Sequence, residues 1–215
     1  MLNHVPLLTA EHVSQIDMEA IEAFNSNPKR RPEHRLHTRV GPFVPTSNIR
    51  KAPIVILLAN PGYTDNLEET PDGCESFTVD GWPFGHLHPE APIGARVWTR
   101  QRFRWLIDEF GDQFISQQIA CAQLIPWASI QFHEGARLPS RNLILEEVKA
   151  AGARGALLVV MRIKRLWAPA TKDAKTIFTN SVRSAYVSSG NLEKFDLVRE
   201  RLLAVHSQAS NSPET

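Results

Sequence analysis

Cysteine is scarce in this chain. Its 215 residues hold two, Cys74 and Cys121, which excludes a disulfide framework and a four-cysteine zinc or iron–sulfur site. Excess charge is lacking as well. The 24 Lys and Arg face 23 Asp and Glu, for a formal net charge of +1. A protein that coats nucleic acid is usually more basic, so any phosphate contact has to come from local patches. No apolar run approaches the roughly 18 residues of a spanning helix, and the N-terminus has no basic-then-apolar leader pattern. These absences set the expectation of a cytoplasmic, reducing location without membrane contact. No internal repeat is present. Hydrophobic residues at 42% and charged residues at 22% are ordinary for a globular chain. The length suits one domain with a sizeable core, expected over 1–206, with 207–215 as a disordered tail.

What is there reads as strands alternating with helices. Thr9 to Phe24 is a helix: Thr9 is a plausible N-cap, and Val13, Ile16, Ala20, Ile21 and Phe24 recur at helical spacing. From Asn25 to Lys51 the chain is polar, basic and Pro-bearing, and reads as an extended loop. Ile54-Val55-Ile56-Leu57-Leu58 is too short for a typical helix and does not alternate, so it reads as a strand buried on both faces. Further strands are expected at Ile119–Ile125, Ala156–Met161 and Thr176–Thr179. Helices are expected at Arg96–Phe110, at Ser140–Ala151 with Ser140 as N-cap and Gly152 just past its end, and at Glu193–Val205. The fold class expected is α/β, three-layer α/β/α, with a short, mainly parallel four-stranded sheet.

Ligands of such sheets bind beyond the carboxyl ends of the strands. The residues there are Asn60-Pro61-Gly62-Tyr63, Gln123 to Trp127, Arg162 to Arg165, and Asn180 to Asn191. Asn-Pro is a common turn former. A side-chain amide at a strand end also has a chemical use. It cannot act as a base at neutral pH, but it can hold a water in line for attack, which is a gain from positioning. The loop from Tyr63 to about Gly94 carries Phe77, Trp82, Phe84, His86 and His88, either as its own anchors or as an apolar wall for a flipped base. His86 and His88 alone are a weak metal signal and read better as surface histidines. Basic residues cluster at Lys29-Arg30-Arg31-His34-Arg35-His37-Arg39, at Arg96-Arg100-Arg102-Arg104 and at Arg162-Lys164-Arg165. Each run on its own is a solvated face, and together they could track a phosphate backbone.

A strand that ends in Leu-Ala-Asn-Pro-Gly resembles the first motif of the uracil-DNA glycosylase superfamily. It is most similar to the mismatch-specific branch, which has Asn-Pro-Gly where ordinary uracil enzymes have Asp-Pro-Tyr. The resemblance extends more weakly over residues 53–192. It implies that Asn60 is catalytic and that Gln123 reads the base. It implies that Asn180-Ser181-Val182-Arg183-Ser184 takes the place of a Ser-rich loop holding DNA phosphates. This loop lacks the usual Pro-Ser step. Where ordinary uracil enzymes place a Tyr that blocks carbon 5 of the base, this chain has Gly62, which has no side chain to block anything. An Asn-Pro-Gly-Tyr strand end followed by a Trp/Phe-rich insertion is similar to bacterial proteins that include phage-defence glycosylases, which act on sugar-decorated hydroxymethylcytosine.

The function expected from the resemblance is a monofunctional DNA glycosylase that leaves an abasic site. Its partner is duplex DNA with a flipped base, or single-stranded DNA, and the chain acts as a monomer. Gly62, Tyr63, Gln123 and either Trp82 or Phe84 contact the base, and Arg162, Asn180, Ser181, Arg183 and Ser184 contact DNA. Asp80, His86 and His88 would bond a polar carbon-5 substituent. No lysine lies in the first motif, so no covalent imine and no strand cleavage is expected, and no metal or other cofactor is implied. The alternatives are a uracil or mismatch repair glycosylase, a nucleoside or nucleotide hydrolase, and a non-catalytic binder of flipped bases.

Overall fold

The computed structural model describes residues 7–63, 79–181 and 185–210. Its sheet follows from the apolar runs. Strands β1 (Ile54–Leu58), β2 (Ile119–Gln123), β3 (Leu157–Val160) and β4 (Thr176–Phe178) lie in the order β2-β1-β3-β4, and every pairing is parallel. Successive strand residues point to opposite faces, so a run such as Ile54 to Leu58 must meet apolar matter on both sides. Ile54, Ile56 and Leu58 pack with Phe103, Leu106, Ile107, Ile115, Val198 and Leu202. Val55 and Leu57 pack with Ile144, Val148, Trp167 and Ala170. The first set comes from helices α2 (Ile93–Phe110), α3 (Asp112–Gln118) and α6 (Phe195–Ser210); the second comes from α4 (Pro139–Ala153) and α5 (Lys164–Thr171). The result is the expected α/β/α sandwich around a four-stranded, all-parallel sheet.

Helix α1 (Ala10–Asn25) begins as its sequence indicates, with the Thr9 hydroxyl accepting from the His12 N–H. It packs outside α4 through a separate apolar cluster that includes Val13, Ile21, Phe24, Trp127 and Leu138. A fully buried carboxylate ties the two together. Asp17 accepts from Trp127 Nε1 at 2.8 Å, from the Ser140 backbone N–H at 2.9 Å and from the Ser140 hydroxyl at 2.5 Å.

Five points differ from expectation. Ser140 is not a cap: α4 starts at Pro139, with Leu138 in the N-cap position, and Ser140 spends its donors on Asp17. Gly152 is not past the helix end. It lies inside α4, where an added Cβ would come within 2.7 Å of the Ala174 Cβ and 3.2 Å of Leu158, so close packing demands it. The turn that needs a left-handed residue falls to Gly155. The terminal segment does not become a tail at 207, because α6 continues to Ser210 and its His206 packs against Phe110 and Phe114. Helix α6 also starts later than Glu193, whose N–H is taken by the Phe178 carbonyl. Finally, α3 and α5 were not expected. The first is separated from α2 by Gly111 alone, and the second follows Ile163 in a left-handed conformation and contains Pro169. Among the described residues, no helix is long and apolar enough to cross a membrane.

Candidate active site

The carboxyl end of β1 does not stop at Leu58. Its backbone continues the parallel ladder beside the segment after β2. Leu124 and Ile125 N–H donate to the Leu58 and Ala59 carbonyls at 3.2 and 3.0 Å. Ser129 N–H donates to Pro61, Tyr63 N–H returns to Ser129 at 3.1 Å, and Gly62 bridges Ser129. This register sets Asn60, Gly62 and Tyr63 against Ser129, a residue that sequence reasoning missed and that no local pattern marks.

Asn60 is half-buried. Its Nδ2 donates to the Ser129 hydroxyl at 2.8 Å and to the Pro61 carbonyl at 2.9 Å. The Ser129 hydroxyl, itself buried, donates onward to the Gln131 carbonyl at 3.0 Å. Both amide hydrogens are therefore engaged, and Oδ1 is the atom left as an acceptor. An amide clamped in this way presents a fixed oxygen that can hold a water by one of its hydrogens.

Gly62 is exposed, and a Cβ added there meets no atom of the described residues within 4 Å. Its backbone is not in the left-handed region, unlike Gly81, Gly111 and Gly155. Neither turn geometry nor packing among the described residues requires glycine at this position. Tyr63 is buried, with its ring stacked on His37 at 3.4 Å between centroids and 7° between planes. His37 is held in turn by its N–H to the Ala128 carbonyl. Thus a histidine read from the sequence as part of a basic run is stacked on the aromatic ring that follows Asn60-Pro61-Gly62.

Gln123 closes β2 opposite Leu58. Its Oε1 is buried and has no partner among the described residues. Burying an amide oxygen unmet costs about 1–3 kcal/mol, so this end of the side chain is suited to a ligand that supplies a hydrogen.

The aromatic residues of the insertion divide. Phe84 is 5% exposed and belongs to the core, edge-on to Phe103 at 5.8 Å, with its backbone N–H and carbonyl both bonded to the Ser116 hydroxyl. Trp82 lies at the margin of that core, edge-on to His88. His88 Nδ1 accepts from the Glu90 N–H, which spends it on a local turn. His86 sits between Phe84 and Phe43, at 5.9 and 5.8 Å. Asp80 is exposed in the turn before Trp82. Phe77, with the rest of 64–78, lies outside the described residues. No group of three or more metal-ligating side chains occurs among the described residues.

At the other strand ends, Arg162 is exposed. Asn180 N–H donates to the Asn191 carbonyl at 2.7 Å, and Thr179 bridges Leu192. Thr179 and Asn180 are thereby tied to Asn191 and Leu192. Asn180 and Ser181 sit at or next to this contact; Arg183 and Ser184 lie outside the described residues. The basic runs are largely spent internally. Arg30 stacks on Phe24 at 3.8 Å and contacts His133, Arg100 pairs with Asp112, Arg104 with Asp108 and Arg165 with Glu134. Lys164 lies 3.8 Å over the Phe178 ring. Cys121 is buried and its thiol is pushed far up in pKa by that burial, which makes it inert.

Fold and site together define a parallel α/β protein with a clamped amide at the end of its inner strand β1, on the side of the edge strand β2. No family model, no curated protein and no solved structure matches the chain.

Proposed function

We propose that this protein is a monofunctional DNA glycosylase whose target base carries a substituent on carbon 5. The observation that carries the reading is the clamp on Asn60, whose Nδ2 is tied to Ser129 and Pro61 so that Oδ1 is the amide atom left to accept. The resemblance of Leu-Ala-Asn-Pro-Gly to the first glycosylase motif supports the same role.

In this reading the target nucleotide is flipped from the duplex, at a cost of a few kcal/mol. The bond between the base nitrogen and C1′ of the sugar stretches, and its electron pair leaves with the base. Asn60 Oδ1 holds the water whose oxygen then bonds to C1′ while its proton passes to solvent, leaving an abasic site. The gain comes from holding water and sugar in line. Gln123 offers its unmet amide to the polar edge of the base. The Tyr63–His37 stack or Trp82 supplies the apolar wall, in place of Phe84, whose ring is committed to the core. The open side of Gly62 leaves room for a thymine methyl or for a bulkier group such as the sugar of a glucosylated hydroxymethylcytosine in phage DNA. The cytoplasm is where such DNA would be met.

The test is base release, read by mass spectrometry, from duplex DNA carrying plain, methylated or glucosylated hydroxymethylated cytosine, alongside the same bases as free nucleosides. Release from duplex alone, greatest with the large substituent, is expected. Turnover of free nucleosides instead would make the protein a nucleoside hydrolase.

A further inference from the structure

Arg102 stands apart from the other arginines of α2. Arg100 and Arg104 pair with aspartates, and Arg96 donates to the Pro89 carbonyl. Arg102 makes no ion pair among the described residues. Its Nη1 donates to the Trp98 carbonyl at 3.2 Å, and its Nε is buried without a partner. The guanidinium lies 4.1 Å from the centre of the Trp98 ring and 5.5 Å from that of Tyr186. Burial lowers its pKa, as expected for a cation partly withdrawn from water with no counter-charge.

The two rings on Arg102 remain open to solvent, Trp98 at 38% and Tyr186 at 42%. Their setting is held by backbone. Val187 N–H donates to the Arg102 carbonyl at 2.8 Å, and Asn191 Nδ2 donates to the Tyr186 carbonyl at 2.8 Å. Tyr186 is therefore linked through Asn191 to Asn180, just past the carboxyl end of β4, so the stack joins α2 to the strand-end face. Trp105 lies two turns along the same helix face and is 60% exposed. A shallow hollow lined by Ile93, Val97, Trp98 and Arg102 completes the surface.

We infer that the Trp98–Arg102–Tyr186 stack is a landing platform for an unpaired nucleotide of the DNA strand. A base stacks on an outer ring face, and its phosphate meets the unpaired Arg102. A ligand for this surface has to offer a flat π face and a negative charge within one unit, which a nucleotide does. An apolar partner would cover Trp98 and Val97 but leave Arg102 without a counter-charge. Aromatic platforms with stacked arginines bind single strands in this way regardless of sequence. The inference rests on the reading that DNA is the partner, and adds to it a contact away from Asn60.

The experiment measures binding of the whole chain, by fluorescence anisotropy, to a fully paired duplex and to the same duplex with a short unpaired gap. Trp98→Ala, Tyr186→Ala, Arg102→Ala and the control Arg104→Ala are compared, with base release assayed separately on each. Preference for gapped DNA is expected, lost about tenfold in the first three variants and kept in the control. Light-induced cross-linking of wild type to 5-iodouracil in the gap, mapped to Trp98 or Tyr186, gives the same answer should a variant fail to fold. Equal affinity for both DNAs with no cross-link at these residues overturns the platform, even if base release is normal. Cross-linking without base release keeps the platform and removes the glycosylase. A wild-type dimer that Trp98→Ala splits would give this face to a second copy of the chain and overturn the inference.

Discussion

Asn60 and Gly62 lie two residues apart and answer different questions. Asn60 is held by a side chain that is almost 70 residues away in sequence, and the hold fixes which amide atom is left to accept. In the proposed function Ser129 is therefore a positioning residue. In Ser129→Ala the amide loses one of its two holds and keeps only that of the Pro61 carbonyl, and base release should fall about tenfold through the rate of the chemical step, with substrate affinity unchanged. Measuring kcat and KM separately checks this; a change in KM alone would mean that Ser129 shapes only the binding surface. Gly62 concerns width. Its backbone has no need of glycine and no described atom stands where a side chain would go. Gly62→Tyr should leave the fold intact and abolish release of a base with a large carbon-5 group while sparing uracil. Release of both bases unchanged would show that the substituent does not pass over residue 62. At this scale the sequence was informative where a motif was contiguous, as in Asn60 to Tyr63. It was silent on Ser129 and on the His37–Tyr63 stack, because both depend on segments that meet only after folding. It misled on Phe84, since an aromatic in a loop looks alike whether it faces a ligand or the core.

The strands were legible because two-sided burial leaves an unbroken apolar run, and the run shows without any partner. Helices were legible where they are long and start on a capping residue, as α1 does at Thr9. The missed helices are short and interrupted: α3 follows a single glycine, and α5 carries an internal proline. Ser140 and Gly152 were assigned by the habits of helix ends, yet both serve tertiary contacts. Asp17 shows how such contacts hold elements together. Its carboxylate is fully buried and meets donors from Trp127 and Ser140, so α1, α4 and the chain after β2 share one fastening. Asp17→Ala strands these donors away from water, at about 1–3 kcal/mol for each unmet group. A loss of at least ~3 kcal/mol is therefore expected in chemical denaturation. A loss below ~1 kcal/mol would mean that water replaces the carboxylate and that α1 is fastened by its apolar face alone.

Over the whole molecule the charges nearly cancel, and many of the arginines that form runs in the sequence are paired or stacked in the fold. If DNA is the partner, as proposed, its contact rests on the cations left unpaired among the described residues, Arg102 and Arg162 included. The log–log slope of affinity against salt should be shallow, a few times the value of about −0.9 expected per phosphate contact. A titration from low to physiological salt measures it. A steep slope would place more arginines on the phosphates than the paired state allows, and a zero slope would remove DNA as the partner. The central claim is that a clamped amide, with no covalent intermediate, releases a base from DNA. It is tested most directly by mass spectrometry of bases released from modified phage DNA by the wild type and by Asn60→Ala. The account predicts release by the wild type, a loss on the order of a hundredfold in the variant, and a thermal midpoint kept within a few degrees. Equal release by both proteins, or none by the wild type from any modified or deaminated DNA, would contradict it.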